Sequence, residues 1–325
     1  MYPLKFDNIY YEKIWGGRDL EQFRKNLPEG LIGESWDIAC HENGTGVVSN
    51  GGLKGKALSE IFDHYKLEVI GTEIRTDRFP LLLKFINASE PLSVQVHPSD
   101  EYGMRVENDF GKTEAWYVQS AKEGAYLILG TKGTDSEAFK EALRTEKDLG
   151  PYLNKVKVKE GDVFFIHSGL IHAIGPGLVI YEIQQNSDTT YRVYDYGRPR
   201  ELNIEKSLEV MDFTLGADLK TGVKRHIPGG MKTNLILNEY FSLEKYEVEG
   251  LVREYSDPGR FFLFTVVNGD GEILYKEGTE ILSKGDSILI PASLGEFSLK
   301  GKFDLLKAYV PDLKKVKEEI LQEIL

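Results

Sequence analysis

Three short stretches of this chain carry residues able to hold a metal or move a proton. In Pro91-Leu92-Ser93-Val94-Gln95-Val96-His97-Pro98, polar and apolar residues alternate strictly. Side chains two apart share a strand face, so Ser93, Gln95 and His97 point one way and Leu92, Val94 and Val96 the other. Polar side chains on a half-buried strand need partners, so this face either lines a pocket or meets solvent. Gly111-Lys112-Thr113-Glu114-Ala115-Trp116 repeats the pattern, with Lys112 and Glu114 on one face and Thr113, Ala115 and Tyr117 opposite. The third stretch is Ile171-His172-Ala173, an imidazole among small and apolar neighbours. Singly, each has a plain structural use: a solvent-facing strand, a surface ion pair, a hydrogen-bonded core histidine. Together, His97, Glu114 and His172 supply two imidazoles and a carboxylate, the ligand mix of a catalytic divalent-metal site with open positions. Gln95 adds an oxygen donor on the face of His97. The set suits Zn²⁺ or Fe²⁺, and spacing does not choose between them.

Two cations stand out nearby. Lys84 interrupts the apolar run Leu81-Leu82-Leu83-Lys84-Phe85, a place for an ammonium only if a carboxylate or ligand meets it, or if the side chain snorkels to water. Arg192 shares a strand face with Tyr194 and Tyr196, and pairs either with a ligand or with Asp188 or Asp195. The other histidines carry weaker signals: His41 follows the single cysteine, Cys40, in a loop, His64 sits on a short polar helix and His226 in a linker. His167 either lines the same mouth as His172 or caps its strand. No second cysteine supports a Cys-His metal pair or thiol site. The sequence holds no P-loop, dinucleotide fingerprint or Ca²⁺ loop.

Elements that could position these residues are mostly strands. Residues 92–96, 116–118, 125–129, 163–166, 178–183 and 191–194 are short runs, rich in β-branched and aromatic residues and bounded by Gly, Asp or Ser. Such spacing predicts sandwiches or barrels. Helical patterns cover 58–65, 136–144 and 204–211. At the end, 313–325 places Val316, Ile320, Leu321 and Ile324 on one face of an amphipathic helix packed on the body. An internal repeat relates Gly161-Asp162-Val163-Phe164-Phe165-Ile166 to Gly285-Asp286-Ser287-Ile288-Leu289-Ile290. The third residue after Gly169 is His172, whereas the third after Ser293 is Glu296, so only the first copy presents an imidazole. Between 215 and 232 periodicity fades and glycine gathers, which predicts a linker. It separates a metal-binding domain, 1–215, from a structural one, 216–325.

The chain has 325 residues, with 40 Lys+Arg against 52 Asp+Glu and a formal net charge of −12. That charge argues against broad nucleic-acid binding, though not against one small anionic substrate. One cysteine excludes an intrachain disulfide and fits a reducing compartment. The charged amino-terminal stretch is not a signal peptide, and no apolar run approaches the ~18 residues of a membrane span. A cytoplasmic protein, a monomer or weak homo-oligomer without nucleic-acid or membrane partners, is the expectation.

The residues quoted so far resemble the type I phosphomannose isomerases, which are bicupin zinc enzymes. The likeness is carried by Pro91 to Pro98, by Lys112-Thr113-Glu114, by the strand-turn from Gly161 to His172 and by EIQQNSDTTYR from Glu182 to Arg192. Trp15-Gly16-Gly17 and Glu34-Ser35-Trp36 extend it towards the amino terminus. It is specific over 15–198 and architectural beyond. The resemblance implies a mainly β fold of two cupin-type barrels or jelly rolls with a few peripheral helices, the second degenerate. It implies one zinc ion per chain held by Gln95, His97, Glu114 and His172, and substrate handling by Ser93, Lys84 and Lys112. It also implies a catalytic Arg192 and a phosphorylated sugar, with mannose 6-phosphate and fructose 6-phosphate interconverting through an enediol. Gly111 stands where some longer members carry a histidine beside the lysine, so that residue's part falls elsewhere or to water. Lys112, Glu182 and water are candidates for the proton-transferring group. The rival readings are a cupin non-haem iron dioxygenase and a sugar-binding cupin without chemistry. Three cations, Lys84, Lys112 and Arg192, disfavour the first, and the intact ligand set disfavours the second.

Overall fold

The computed structural model describes residues 1–133, 136–145 and 148–324, with the side chains of 322–324 outside that description. The chain is mainly β and divides into two compact units. One comprises residues 1–9, 36–83 and 221–325, the other 10–35 and 84–220. The division expected from the sequence was a single one at 215/216. In the structure the break falls at 220/221, and two amino-terminal segments also join the carboxy-terminal unit.

The carboxy-terminal unit is built on a nine-stranded antiparallel sheet. Its long strands Ser242–Tyr255, Phe262–Tyr275 and Glu296–Tyr309 each run 14 residues. The amino-terminal strand Leu4–Asp7 pairs with Ser287–Ile290. The apolar core gathers Tyr246, Phe264, Phe297 and Phe303. Val316 and Ile320 of the helix Leu313–Ile324 pack on it, whereas Leu321 stands exposed; Leu325 and the Ile324 side chain lie outside the described residues. The expected linker is in part a hairpin, Val223–Ile227 paired with Gly230–Leu237. Its first strand hid from pattern reading because Lys224, Arg225 and His226 give a sheet edge its charges instead of an apolar alternation.

The other unit places a five-stranded sheet against a six-stranded one. The first runs Leu153–Lys157, Tyr126–Thr131, His172–Ile174, Val94–Val96, Tyr191–Tyr194. The second runs Val163–Ile166, Glu114–Ala121, Leu178–Gln185, Leu81–Ala88, Ile32–Ile38, Ile9–Gly17. Leu127, Leu129 and Ile174 from one meet Trp116, Val118 and Ile180 from the other. On the outer side of the five-stranded sheet, Val94, Val96 and Tyr191 pack under the helix Ser136–Arg144 through Phe139. Most of the expected elements are present, several extended. The helix over 58–65 continues as Leu58–Ile70, with Tyr65 out of helical geometry at the join. Leu92 departs from the alternation: the strand starts only at Val94, and Leu92 joins the inner core with Trp116, away from Val94 and Val96. Among the described residues no helix is long and apolar enough to cross a membrane.

The internal repeat holds at the level of single hydrogen bonds. Gly161 and Gly285 both sit at positive φ, 87° and 90°, a conformation that favours glycine. The Asp162 carboxylate accepts from Lys159 N–H and the Asp286 carboxylate from Ser283 N–H, each at 3.0 Å. Gly161 N–H donates to Val118 C=O at 2.9 Å and Gly285 N–H to Val266 C=O at 2.8 Å. The same device thus starts a strand in each unit. Asp162→Ala and Asp286→Ala should each cost about 1 kcal/mol of stability, read by urea unfolding of the full chain. A loss at one site and none at the other would show that the likeness stops at the backbone.

Candidate active site

The strand registers explain how residues far apart in sequence meet. Arg192 lies opposite Gln95, and Gln95 opposite His172, in adjacent strands of the five-stranded sheet. Residues directly opposite project on the same face, so these three side chains form a row. On the facing sheet Trp116 lies opposite Glu182, and its indole N–H donates to Glu182 Oε2 at 2.7 Å. The next strands bring Lys84, whose Nζ is 3.1 Å from Glu182 Oε1 and 3.8 Å from Glu34 Oε2, and then Lys13, 3.0 Å from Glu34 Oε1. Between the two rows lies a cavity of about 280 Å³, which Ser93, Gln95, Lys112, Glu114 and Arg192 also line. Of the two uses open to the Ser93–Gln95–His97 face, the pocket is the one found: Ser93 and Gln95 line it, and His97 is fully buried beside Glu114. Lys112 and Glu114 are buried too, rather than a surface pair.

Ligand atoms of His97, Glu114 and His172 lie within 4.8 Å of one another, all three residues buried, with Glu114 also lining the cavity. His97 Nδ1 contacts the Thr189 carbonyl oxygen at 3.0 Å and His172 Nδ1 that of Leu170 at 2.8 Å. A carbonyl can only accept, so each Nδ1 carries the proton and each Nε2 turns a lone pair inward. Burial, helped by the Lys112 charge, pushes the His97 imidazole down to about 3, and burial also lowers His172. Both rings are therefore neutral at pH 7. Burial alone would raise the Glu114 carboxyl, but the Lys112 ammonium beside it holds it well below the usual carboxylate range. His97 Nε2 and Glu114 Oε1 then face each other at 3.2 Å as two acceptors. Neither Glu114 oxygen accepts a well-aligned hydrogen bond, although the Lys112 ammonium lies 3.1 Å from Oε1. The Gln95 amide nitrogen is 3.3 Å from His172 Nε2 and 3.5 Å from His97 Nε2, and turned over this amide offers an oxygen instead. Converging lone pairs on neutral imidazoles and an anionic carboxylate fit a divalent cation.

The cations are held differently. Burial works against the Lys84 ammonium, yet Glu182 and Glu34 outweigh it and raise its pKa. Arg192 makes no ion pair among the described residues. Its Nη1 donates to Glu201 C=O at 2.8 Å, its Nε is buried without a hydrogen bond, and its backbone is pinned to Asn203. Asp195, one of its expected partners, is taken by Arg198 and Arg200, with contacts from 2.6 to 3.2 Å. Burial, then Arg200, lowers the Arg192 pKa from its ordinary value, and the guanidinium stays charged at pH 7.

Sequence reasoning passed over Lys13 and Arg200 on the cavity wall and treated Glu34 only as part of a motif. Alternate charges on neighbouring strands could have signalled the Lys13–Glu34–Lys84–Glu182 chain, but only once the strand order was known. The remaining histidines stand apart from the ligand cluster. His41 lies on the two-residue strand Cys40–His41 beside Trp36, His64 bonds to Glu60 C=O, His167 packs edge-on to Phe165 and His226 is exposed on its strand. Burial pushes the Cys40 thiol up to about 11, so it is no activated nucleophile. At Gly111 a Cβ would fall 2.3 Å from the Asp100 nitrogen and 2.5 Å from the Ser99 carbonyl carbon, so no histidine fits there without moving backbone.

Residues 4–135 match the family model of the type I phosphomannose isomerase catalytic domain, and residues 231–310 match that of the mannose-6-phosphate isomerase cupin domain. Mannose-6-phosphate isomerase ManA of Bacillus subtilis is 40% identical over 318 residues, covering 95% of this chain and 99% of that protein. The chain belongs to the type I phosphomannose isomerase family. The mannose-6-phosphate isomerase of Streptococcus mutans is 36% identical over 94% of this chain and 98% of its own length. Among solved structures, the crystal structure of the mannose 6-phosphate isomerase from Bacillus subtilis superposes with a TM-score of 0.89 at 34% identity. It covers 95% of this chain and 99% of that one. The phosphomannose isomerase assignment thus spans both compact units, and the family's cupin fold agrees with the mainly β architecture.

Proposed function

We propose that this chain is a zinc-dependent aldose–ketose isomerase that interconverts mannose 6-phosphate and fructose 6-phosphate through an enediol. The observation that carries the reading is that Glu114, whose carboxylate clusters with the buried His97 and His172, lines one cavity together with Gln95 and the cations Lys84, Lys112 and Arg192. Family membership supports the substrate class.

Gln95, His97, Glu114 and His172 would hold the zinc, which when bound would supply Lewis-acid polarisation of a sugar oxygen. The protein does the rest. Moving a hydrogen between C2 and C1 develops negative charge on the sugar oxygens, and a pre-placed guanidinium stabilises it without reorganisation. Arg192 has that role: it is charged, uncommitted to any carboxylate and fixed at its backbone. Lys112 is the acid that meets the oxyanion with a proton. Glu182 is a poorer candidate for proton transfer, since one oxygen is engaged by Trp116 and the other by Lys84. Ser93 and Lys84 orient the substrate, with Lys84 kept charged by its two carboxylates. Residues 216–325 serve a structural role, and the enzyme works in the cytoplasm as a monomer or weak oligomer.

The test is an assay of chelator-stripped protein with mannose 6-phosphate before and after zinc is restored, fructose 6-phosphate being coupled to a dye-linked readout. Turnover that returns only with metal is the expected result. A chain that binds one divalent ion and still converts no mannose 6-phosphate would overturn the reading.

A further inference from the structure

The two imidazoles of the donor cluster are aimed by unlike means. His172 Nδ1–H donates to Leu170 C=O, only two residues away, so local chain geometry suffices to orient the ring. His97 Nδ1–H donates to Thr189 C=O, 92 residues distant, and the ring is only as well placed as the loop between Leu178–Gln185 and Tyr191–Tyr194. The Asp109 carboxylate lies beneath that loop. Asp109 Oδ2 accepts from Ser187 Oγ–H at 2.7 Å and from Thr189 Oγ1–H at 2.9 Å, while its Oδ1 accepts from Phe110 N–H at 2.9 Å. Ser187 Oγ in turn accepts from Thr189 N–H at 3.2 Å, closing a ring of bonds around Thr189. Asp109 is itself placed by the end of the helix Asp100–Val106, where Glu107 and Asp109 N–H both reach Gly103 C=O after Asn108 takes a positive φ of 54°.

We propose that Asp109 is a positioning residue for metal binding, holding Thr189 C=O where it orients the His97 imidazole. Hydrogen bonds behind a ligand fix its tautomer and direction and raise its basicity, and their loss weakens metal binding by about 10–100-fold. Asp109 is not part of the cavity lining, and its hydrogen bonds to Ser187 and Thr189 connect it to the carbonyl behind His97. A second carboxylate in the same region, Asp100, has a separate task. Its Oδ1 accepts from Gly111 N–H and Gln185 Nε2–H, both at 2.8 Å, and so holds the segment that carries Lys112.

The inference rests on the metal reading above, and its test separates the two. Zinc affinity of the full chain is measured by competition with a chelator of known affinity, alongside the unfolding midpoint of the metal-free protein. Asp109→Ala should weaken zinc about 10–100-fold. Thr189→Val, which deletes one donor and keeps the carbonyl and side-chain shape, should weaken it by a smaller factor. Asp109→Asn, which keeps an acceptor for both hydroxyls, should recover most of the affinity. Asp286→Ala, in the other compact unit, serves as the control for lost stability and should leave zinc affinity unchanged. Wild-type affinity retained in both Asp109→Ala and Thr189→Val would overturn the proposal, as would an equal loss in Asp286→Ala. A wild-type chain that takes up no zinc would overturn the metal reading, and this one with it.

Discussion

Glu114→Gln should abolish measurable isomerase activity and strip the chain of metal, the largest effect expected from any single substitution. The change keeps the size of the side chain and removes the negative charge that His97 and His172 share at 3.2 and 3.9 Å. A neutral amide among neutral imidazoles leaves a weak site for a divalent ion. Losing a Lewis acid costs several kcal/mol of transition-state stabilisation, which is about 10³-fold or more in rate. The substitution also leaves the Lys112 ammonium, buried and 3.1 Å from Glu114 Oε1 in the native protein, without its nearest carboxylate. Removing one partner of a buried pair costs about 3–5 kcal/mol, so stability should fall alongside metal content. Zinc per chain, activity and a urea unfolding curve on one preparation check all three. A Glu114→Gln protein that keeps one tightly bound zinc and near-normal turnover would remove Glu114 from the ligand set.

Arg192→Lys should lower kcat by about 10²–10³-fold with zinc content and KM close to those of the wild type. The native guanidinium donates to Glu201 C=O, and the Arg192 backbone is fixed by bonds to Asn203 at its N–H and C=O. A lysine keeps the charge but offers a point donor on a flexible stem instead of a planar fork, and it cannot reach both the carbonyl and the developing oxyanion. Because Arg192 touches no ligand of the metal cluster beyond its cross-strand neighbour Gln95, metal binding should survive. Equal losses of kcat and zinc would mean that Arg192 holds the sheet together and takes no part in the chemistry. A rise in KM with kcat unchanged would move it to substrate binding.

The strand alternation in Pro91 to Pro98 and Gly111 to Trp116 was enough to group Ser93, Gln95 and His97 on one face and Lys112 with Glu114 on another. Period-two alternation is a property of local backbone geometry, and it survives any tertiary context in which the segment stays extended. It failed at Leu92 because the strand begins at Val94. The same logic made Lys84 legible: an ammonium within a run of leucines needs a carboxylate, a ligand or a path to water, and the structure supplies the carboxylates of Glu182 and Glu34. The pattern had no means of naming those two partners. Likewise the Gly-Asp repeat was visible in the sequence, while its equality bond by bond was a matter of structure.

What residue order could settle, then, was chemistry by type and by face: two imidazoles, a carboxylate, an amide and three cations on strands of a mainly β chain. Which residues stand beside one another came from sheet register. Arg192 opposite Gln95, Gln95 opposite His172, and Trp116 opposite Glu182 are long-range pairings, and register is set by whole faces seeking the core rather than by any local motif. The compact units also escaped the linear reading, because residues 1–9 and 36–83 cluster with a partner more than 130 residues later in the chain. The burial that neutralises His97 and lowers His172 exists only once two sheets close over them. A lone histidine in a sequence has an ordinary pKa, and desolvation by the folded core is what turns it into a standing lone pair for a metal.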